Sequence, residues 1–227
     1  MALTDVKRKI FVHLLLESML LHQVNTLDND LLERVRQGES WAYRSWEPAA
    51  VAVVLGRGNK ATLEVYEERC QHDNVPIIRR RGGGGTVVLA PGVLVVSVVK
   101  RVKHRYRFQE YFDQINTYLI EALQRVGLDE LSQRGISDIC LCDRKILGSS
   151  MYRSKEILFY TASLMVSNDI QLLDRYLRHP SKEPDYRQGR PHLDFTTTIC
   201  RKYPQLNVAD IQAEIDRVLL HRIAAIE

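Results

Sequence analysis

The sequence RRRGGGGTVVLAPG, residues 79–92, places three arginines before four glycines and an apolar segment. Glycine inside an element costs roughly 0.5–1 kcal/mol relative to alanine, so four in succession indicate a loop. Either the loop is a flexible connection, or its bare backbone cradles an anion, because successive glycine N–H groups point into one concavity. The motifs GxxxxGK[ST] and GxGxxG are missing and no helix follows, which excludes a P-loop and a Rossmann turn.

The bulk composition is that of an ordinary globular chain of 227 residues, 45% hydrophobic and 26% charged. This length fits one large domain or two small ones, with a core that needs no metal or disulfide. The net charge of +4 is too small to indicate nucleic-acid binding, although it suits acidic partners or phosphate-bearing substrates.

The four cysteines form no CxxC pair, which indicates reduced thiols in a cytoplasmic protein. A zinc site built from Cys140, Cys142 and Cys200 is disfavoured, because Cys-x-Cys lacks the usual ligand spacing. We therefore predict no metal ligands among the side chains.

An apolar run near the N-terminus resembles the start of a signal peptide, but His13 and Glu17 interrupt it and no cleavage site follows. The run is also too short to span a bilayer. We expect an N-terminal extension at residues 1–9, an edge strand at residues 10–16, and no membrane partner.

Periodicity and turn signals predict helices that alternate irregularly with strands. The predicted helices are residues 28–38, 62–70 with Thr62 as the cap, 108–126 and 208–226. The predicted strands are residues 48–58, 75–79, a hairpin of 86–89 with 93–99, and an antiparallel meander of 137–142, 144–151 and 156–166. The polar stretch 180–191 is expected to be a mobile loop or a segment that covers a substrate.

A second informative segment is SDICLCDRKILGSSMYR, residues 137–153. A tight turn precedes Lys145, which begins a strand, and Gly148 and Ser149 follow. Taken alone, Lys145 is best explained as an exposed strand-end lysine, because lysines are mostly exposed.

Together, the two segments resemble the lipoate–protein ligase family. The family motifs read roughly RRxSGGGAV, ND and GRKxSGSA, and the matching positions here are Arg80, Gly83, Gly84, Gly85, Asp138, Lys145, Gly148 and Ser149. The resemblance covers about residues 10–226. It implies an α+β fold like the catalytic domains of biotin ligases and class II aminoacyl-tRNA synthetases, with mixed, mostly antiparallel sheets flanked by helices. A single catalytic domain over residues 1–227 is implied.

The resemblance implies an enzyme that uses ATP, with its Mg²⁺, to activate lipoate or octanoate as acyl-AMP. The acyl group then passes to a lysine of a lipoyl-domain or H-protein-like acceptor. Lys145 would stabilise charge between the carboxylate and the α-phosphate, and Asp138 would orient Lys145 or receive the amine proton. Arg80 would neutralise phosphate charge. The other implied nucleotide- and acyl-binding positions are Gly82, Gly83, Gly84, Gly85, Thr86, Val87, Gly148 and Ser149.

Several positions depart from the family motifs. Gly82 replaces a serine, Leu147 a small residue and Ser150 an alanine, and Tyr160-Thr161 stands where many relatives have a histidine pair. These changes are expected to alter acyl-chain choice or rate. We also expect this protein to lack the small C-terminal domain of many ligases. Either the function is complete without it, or a separate accessory subunit supplies it, or only the transfer half-reaction is catalysed.

Other functions compete with the ligase. An octanoyltransferase has the same fold and takes octanoyl from acyl carrier protein through a cysteine thioester. Its cysteine would fall in residues 128–135 or 189–195, and neither stretch contains one. Cys140 and Cys142 are expected in one strand, on the face that carries Asp138. A biotin ligase is disfavoured because GRGRxGRxW is missing, and a non-enzymatic member of the fold is disfavoured by the intact lysine motif.

Overall fold

The computed structural model describes residues 27–104 and 106–226. The helices are α1 (Asn29–Arg36), α2 (Ala61–Glu64), α3 (Glu67–His72), α4 (Phe108–Arg125), α5 (Gln171–Tyr176), α6 (His192–Phe195) and α7 (Val208–Arg222). The strands are β1 (Trp41–Trp46), β2 (Ala52–Leu55), β3 (Ile77–Arg79), β4 (Val87–Leu89), β5 (Val93–Arg101), β6 (Leu131–Arg134), β7 (Asp138–Leu141), β8 (Arg144–Ser154) and β9 (Ile157–Met165). The predicted extension at residues 1–9 and edge strand at 10–16 lie outside the described residues.

The strands form two sheets. The large sheet has six strands in the order β1-β5-β9-β8-β7-β6, and each neighbouring pair is antiparallel. The small sheet has the order β3-β2-β4, with β2 and β3 parallel. The predicted meander is confirmed as β7, β8 and β9, and the predicted α+β class with mixed, mostly antiparallel sheets is also confirmed. In the described ranges, no helix is long and apolar enough to cross a bilayer.

The predicted hairpin around Pro91-Gly92 is wrong. β4 pairs with β2 in the small sheet, whereas β5 pairs with β1 and β9 in the large one. Gly92 has a φ of 89°, and its N–H donates to the Glu47 carboxylate at 2.7 Å. A turn is present at Pro91-Gly92 as predicted, but it connects the small sheet to the large one.

The predicted helix at residues 62–70 is also wrong, because two short helices replace it. Val65 is extended and bridges Leu177, and the Tyr66 N–H donates to the Tyr176 carbonyl at 2.8 Å. This pairing with a distant segment interrupts the helix. Thr62 lies inside α2, and Lys60 takes the cap position.

The two faces of the large sheet are covered by different elements, because side chains alternate along each strand. One face packs against α4 and α7 through a core that includes the fully buried Ile115, Leu119, Leu158, Tyr160 and Ile215. Burying each such aliphatic side chain contributes roughly 1.5–3 kcal/mol. The opposite face packs against α1 at one end and against the small sheet at the other. The candidate site lies on this second face, between the sheets.

Candidate active site

A narrow cavity of about 110 Å³ lies between the two sheets. Its apolar lining comes from both sheets and includes Val54, Val87, Leu89, Val95 and Phe159. Gly148 and Tyr152 line it four residues apart on β8, which corresponds to about 13 Å of extended strand. The cavity is therefore a long, mostly apolar slot.

An open cleft of about 1270 Å³ adjoins the narrow cavity. Its walls are the glycine loop at residues 83–85, the large sheet at Asp138 and Ser149, and residues 180–187. Lys145, Gly85 and Thr86 line both the narrow cavity and the open cleft. Lys145 therefore stands where the slot meets the open cleft that the glycine loop borders.

Lys145 and Asp138 form an ion pair, with Nζ 2.7 Å from Oδ1. Their side chains are 24% and 15% exposed, so the pair is partly shielded but open to the cleft. Oδ2 of Asp138 accepts a hydrogen bond from the Tyr186 hydroxyl at 2.7 Å. The structure thus brings together the two residues for which the sequence predicted catalytic roles.

A β-bulge in β8 turns Lys145 toward Asp138. Ile139 pairs with Leu147 but Cys140 pairs with Lys145, which leaves Ile146 as an extra residue. Such a bulge changes which side chains share a face. Ile146 and Leu147 are accordingly both fully buried, and Lys145 comes to the same face as Gly148.

Gly148 leaves room for the end of the Lys145 side chain. A Cβ atom there would lie 2.9 Å from both Cε and Nζ of Lys145. Next to it, the Ser149 hydroxyl donates to the Ser137 carbonyl at 3.2 Å, and the Asn116 amide donates to the same carbonyl at 3.0 Å. These contacts tie the strand that carries Lys145 to the turn before Asp138.

Arg80 holds the glycine loop by its carbonyls. Its Nη2 lies 2.6 Å from both the Gly83 and Gly85 oxygens, and Nη1 donates to the Val54 carbonyl at 3.3 Å. Burial lowers the pKa of Arg80 to about 10, so the guanidinium remains charged at neutral pH. The role predicted from the family, neutralising a phosphate, stays a prediction, and the observed contacts make Arg80 an anchor of the loop.

The four glycines have different surroundings. Gly84 has a φ of 84°, a left-handed conformation that side chains adopt with difficulty. A Cβ at Gly82 would lie 2.8 Å from the Ser150 hydroxyl oxygen, so a side chain there would have to displace that hydroxyl. At Gly83 and Gly85 an added Cβ would meet open space, which leaves their backbone accessible.

A buried carboxylate that the sequence did not reveal lies beside the loop. Glu64 is only 6% exposed and accepts hydrogen bonds from Thr86 Oγ1 at 3.2 Å and Ser181 Oγ at 2.7 Å. The Asn59 amide in turn donates to Thr86 Oγ1 at 3.2 Å. Glu64 therefore connects the glycine loop to the opposite wall of the open cleft. Its position in the short helix predicted at residues 62–70 gave no signal of this contact.

Residues 180–191, called the cleft segment below, are held against the site. Tyr186 packs on Phe195 with ring centroids 5.1 Å apart, and the guanidinium of the buried Arg187 lies 4.8 Å from the same ring centroid. The cleft segment thus lines the open cleft, and its predicted role in covering a substrate stays a prediction. The tyrosine itself was not singled out from the sequence, since only the fold brings it to Asp138.

The sequence profile described as "Lipoyl protein ligase A/B catalytic domain" matches residues 21–219, which is most of the chain. The chain belongs to this family. The resemblance inferred from the glycine and lysine motifs is thereby confirmed.

Curated relatives of this chain within the family are lipoate-protein ligases. A putative lipoate-protein ligase A of Schizosaccharomyces pombe is 30% identical over 131 residues, which cover 57% of this chain and 35% of the relative. Lipoate-protein ligase A of Psychrobacter cryohalolentis is 28% identical over 157 residues, covering 63% and 44% of the two chains. The chain therefore matches less than half the length of these relatives.

Solved lipoate-protein ligases share the fold. A lipoate-protein ligase A bound with ATP superposes with a TM-score of 0.72 at 19% identity, over 82% of this chain and 74% of the other. A putative lipoate protein ligase from Thermoplasma acidophilum with bound lipoic acid gives 0.69 at 19% identity, with the same two coverages. The predicted ligase catalytic-domain fold is therefore confirmed.

The cysteines of this family member do not form a common site. Cys140 is fully buried in β7, and its Sγ lies 3.8 Å from the Tyr186 hydroxyl. Cys142 is not in the strand as predicted, but in the turn after it, exposed and with a φ of 56°. Burial raises the pKa of Cys140 and of Cys200, and a hydrogen bond to Glu130 raises that of Cys142.

The predicted departures from the family occupy distinct places. Tyr160 faces the core, where its hydroxyl donates to Asn116 Oδ1 at 2.9 Å, and burial raises its pKa. Thr161 points the other way and lines the narrow cavity, as does Ser150. Of the Tyr160-Thr161 pair, only Thr161 thus lines the narrow cavity. Within residues 27–104 and 106–226, no three His, Cys, Asp or Glu side chains gather as metal ligands.

Proposed function

We propose that the chain is an ATP-dependent lipoate– or octanoate–protein ligase. The observation that carries the proposal is the position of Lys145 between the narrow apolar cavity and the open cleft with its glycine loop. An acyl carboxylate entering from one side and a nucleotide phosphate from the other would meet at this ammonium.

The narrow cavity suits the acyl chain. Its walls are mostly apolar, and it follows about 13 Å of strand, which exceeds the length of an extended eight-carbon chain. The hydrocarbon would be removed from water there, at roughly 0.8 kcal/mol per CH₂ group buried. The carboxylate would remain at the Lys145 end, where the cavity opens to the cleft.

The open cleft suits the nucleotide. Gly83 and Gly85 leave backbone accessible, and Arg80 fixes the loop that presents it. Backbone N–H groups in such a concavity bind phosphate oxygens. Solved relatives bound with ATP and with lipoic acid accord with both assignments.

In the first reaction, a carboxylate oxygen attacks the α-phosphorus of ATP and pyrophosphate leaves. Lys145 would stabilise the negative charge on the oxygens of the transition state, as a donor fixed in advance by Asp138. In the second, the acceptor lysine attacks the acyl carbonyl and AMP leaves. Asp138 would keep Lys145 oriented or receive the proton that the attacking amine releases.

Mg²⁺ would enter with the triphosphate. Magnesium is usually held by one or two carboxylates together with substrate phosphates and waters, and not in an all-protein cage. Glu64 is a carboxylate on the glycine-loop wall of the cleft, so the residues present are compatible with this arrangement. The ion would neutralise phosphate charge, and Lys145 would act at the acyl carboxylate.

The acceptor would be a small lipoyl-domain or H-protein-like protein that presents a lysine to the open cleft. A solved bipartite ligase from Thermoplasma acidophilum, described together with its E2 lipoyl domain, has a TM-score of 0.71 to this chain. It motivates the further proposal that a separate accessory subunit assists this enzyme. Free thiols at Cys70, Cys140, Cys142 and Cys200 suit the reducing cytoplasm.

One observation keeps the octanoyltransferase as a second candidate. Cys140 lies on the site side of β7, 3.8 Å from the hydroxyl that binds Asp138. A thioester-forming cysteine needs a lowered pKa, whereas burial raises the pKa of Cys140. The ligase is therefore the function that the geometry supports better.

Exchange of labelled pyrophosphate into ATP tests the proposal. Octanoate and lipoate should each promote exchange with the purified chain, because adenylate formation is reversible in the absence of acceptor. If neither acid promotes exchange, with or without a candidate accessory subunit, while octanoyl acyl carrier protein supports transfer without ATP, the ligase proposal is wrong.

A further inference from the structure

Both carboxylate oxygens of Asp138 have a partner in the structure. Oδ1 lies 2.7 Å from the Lys145 ammonium, and Oδ2 accepts from the Tyr186 hydroxyl at 2.7 Å. A hydrogen bond from a neutral donor to an ionised carboxylate is worth more than one between neutral groups. The phenol therefore restrains the rotation of the carboxylate that faces the lysine.

The ring of Tyr186 is itself fixed. It packs against Phe195, and a Cβ at Gly135, where φ is 58°, would lie only 3.3 Å from Tyr186 Cε1. The turn between β6 and β7 is thus shaped to admit the ring. Burial, followed by the charge of Asp138, raises the pKa of Tyr186, so the hydroxyl stays protonated and acts as the donor.

A competing partner for Asp138 is present but is directed elsewhere. Arg134 stands opposite Asp138 in the β6–β7 register. Its guanidinium lies over the Tyr186 ring, 5.8 Å from the centroid. The arginine is thus engaged by the tyrosine ring, and the ionic partner of Asp138 in the described residues is Lys145.

We propose that Tyr186 is a positioning residue: its hydroxyl fixes Asp138 so that Lys145 stays directed at the junction of the narrow cavity and the open cleft. The proposal rests on the proposed function, in which Lys145 acts on the acyl carboxylate and the phosphate. Tyr186 belongs to the cleft segment, whereas Lys145 and Asp138 belong to the large sheet. Through the tyrosine, the orientation of the Asp138 and Lys145 side chains on the sheet depends on the cleft segment.

The first test is Tyr186→Phe, which removes the hydroxyl and keeps the ring. We expect kcat for octanoate-dependent pyrophosphate exchange to fall about tenfold, as for loss of one hydrogen bond to a charged group. The KM for ATP should stay within about twofold of the wild-type value, because Tyr186 is proposed to orient Asp138 and Lys145 and not to bind ATP itself. Tyr203→Phe is the matched control, since its phenol binds Asp129 on an exposed surface, and it should leave kcat unchanged.

The second test does not require ligase activity. Lys145 is labelled with an amine-reactive ester and followed by mass spectrometry, with the exposed Lys155 as the internal reference. In the wild type, the ion pair should slow the labelling of Lys145. Tyr186→Phe should speed it several-fold, toward the rate of Asp138→Asn, because the carboxylate is no longer held on the ammonium.

The outcomes separate the two proposals. A wild type without exchange activity, both alone and with a candidate accessory subunit, contradicts the ligase if octanoyl acyl carrier protein supports transfer without ATP. The labelling experiment alone then decides the role of Tyr186. If Tyr186→Phe labels like the wild type, the tyrosine is a packing residue and the inference is overturned. Faster labelling with unchanged kcat in an active enzyme also overturns it, because Lys145 would then not depend on the tyrosine for its function.

Discussion

The glycine loop and the β7–β8 hairpin face each other across the entrance to the narrow cavity, but they are held in different ways. The loop at residues 82–85 has little regular structure, and Arg80 fixes it by donating to its carbonyl oxygens. The hairpin is part of a six-stranded sheet, and one bulge and one glycine place Lys145 on it.

The positively charged side chains at the site accordingly have two different kinds of partner. Arg79 and Arg80 use their guanidinium groups on backbone carbonyls, so their charge mainly organises the protein. Lys145 is paired with a carboxylate and borders both cavities, so its ammonium can exchange that partner for a substrate. Variants that change one kind of cation and not the other test this division.

The largest effect is expected for Lys145→Ala. The loss should be about 2.7–4 kcal/mol of transition-state stabilisation, or roughly a hundredfold to a thousandfold in kcat, as for removal of one oxyanion donor. The circular dichroism spectrum should be that of the wild type, because the side chain contributes little packing. Lys155→Ala at the exposed β8–β9 turn is the control and should retain full activity. Near-normal turnover of Lys145→Ala would refute the proposed role of the lysine.

A second large effect is expected in the loop itself, for Gly84→Val. The φ of 84° is strained for a β-branched residue, at a cost of order 1–3 kcal/mol. The added Cβ would also lie 3.2 Å from Arg80 Nη2, the atom that holds the loop. We expect calorimetry to show that an acyl-adenylate analogue binds the variant at least about a hundredfold more weakly than the wild type, or not measurably.

Gly127→Val is the matched control for that variant. Gly127 follows α4, has a φ of 92° and lines neither cavity. A valine there would be strained as at position 84 but would not disturb the candidate site. It should lower the melting temperature and leave the affinity unchanged. Equal affinities for Gly84→Val and the wild type would mean that the loop is only a connector.

Much of the fold follows from local sequence, and the exceptions have long-range causes. The periodicity of α4 and α7 and the alternation along β8 and β9 predict those elements directly. The chain crosses between sheets at Gly92, and pairing with Leu177 splits the helix predicted at residues 62–70. Neither effect is visible in a window of neighbouring residues, because the partner lies far along the chain.

The candidate site shows the same division. Lys145, Asp138 and the glycine loop were found because their motifs are contiguous. Tyr186 lies 48 residues from Asp138 and Ser181 lies 117 residues from Glu64, so no local pattern joins them. The phosphate role assigned to Arg80 came from the family alone, and the carbonyl contacts of its side chain suggest a different one.

Arg80→Lys tests whether Arg80 anchors the loop, and we expect an intermediate loss of adenylate affinity. The lysine keeps the charge but loses the planar fork that reaches the Gly83 and Gly85 carbonyls together. We expect adenylate affinity to fall roughly tenfold to a hundredfold, as for one to two hydrogen bonds from a charged group. Arg81→Lys, at an exposed neighbour, should cost much less. If Arg80→Lys binds like the wild type, charge alone suffices and the anchoring role is wrong.

The smallest effects are expected for the cysteines, which decide between ligase and transferase. A thioester mechanism needs a reachable thiolate, yet burial raises the pKa of Cys140 and Cys200, and Glu130 raises that of Cys142. Each single substitution to serine should therefore keep kcat within about twofold of the wild type, with transfer still dependent on ATP. Cys140→Ser is the critical variant, because its Sγ lies 3.8 Å from the Tyr186 hydroxyl beside Asp138. A folded but inactive Cys140→Ser protein, together with ATP-independent transfer from acyl carrier protein in the wild type, would replace the ligase by the transferase.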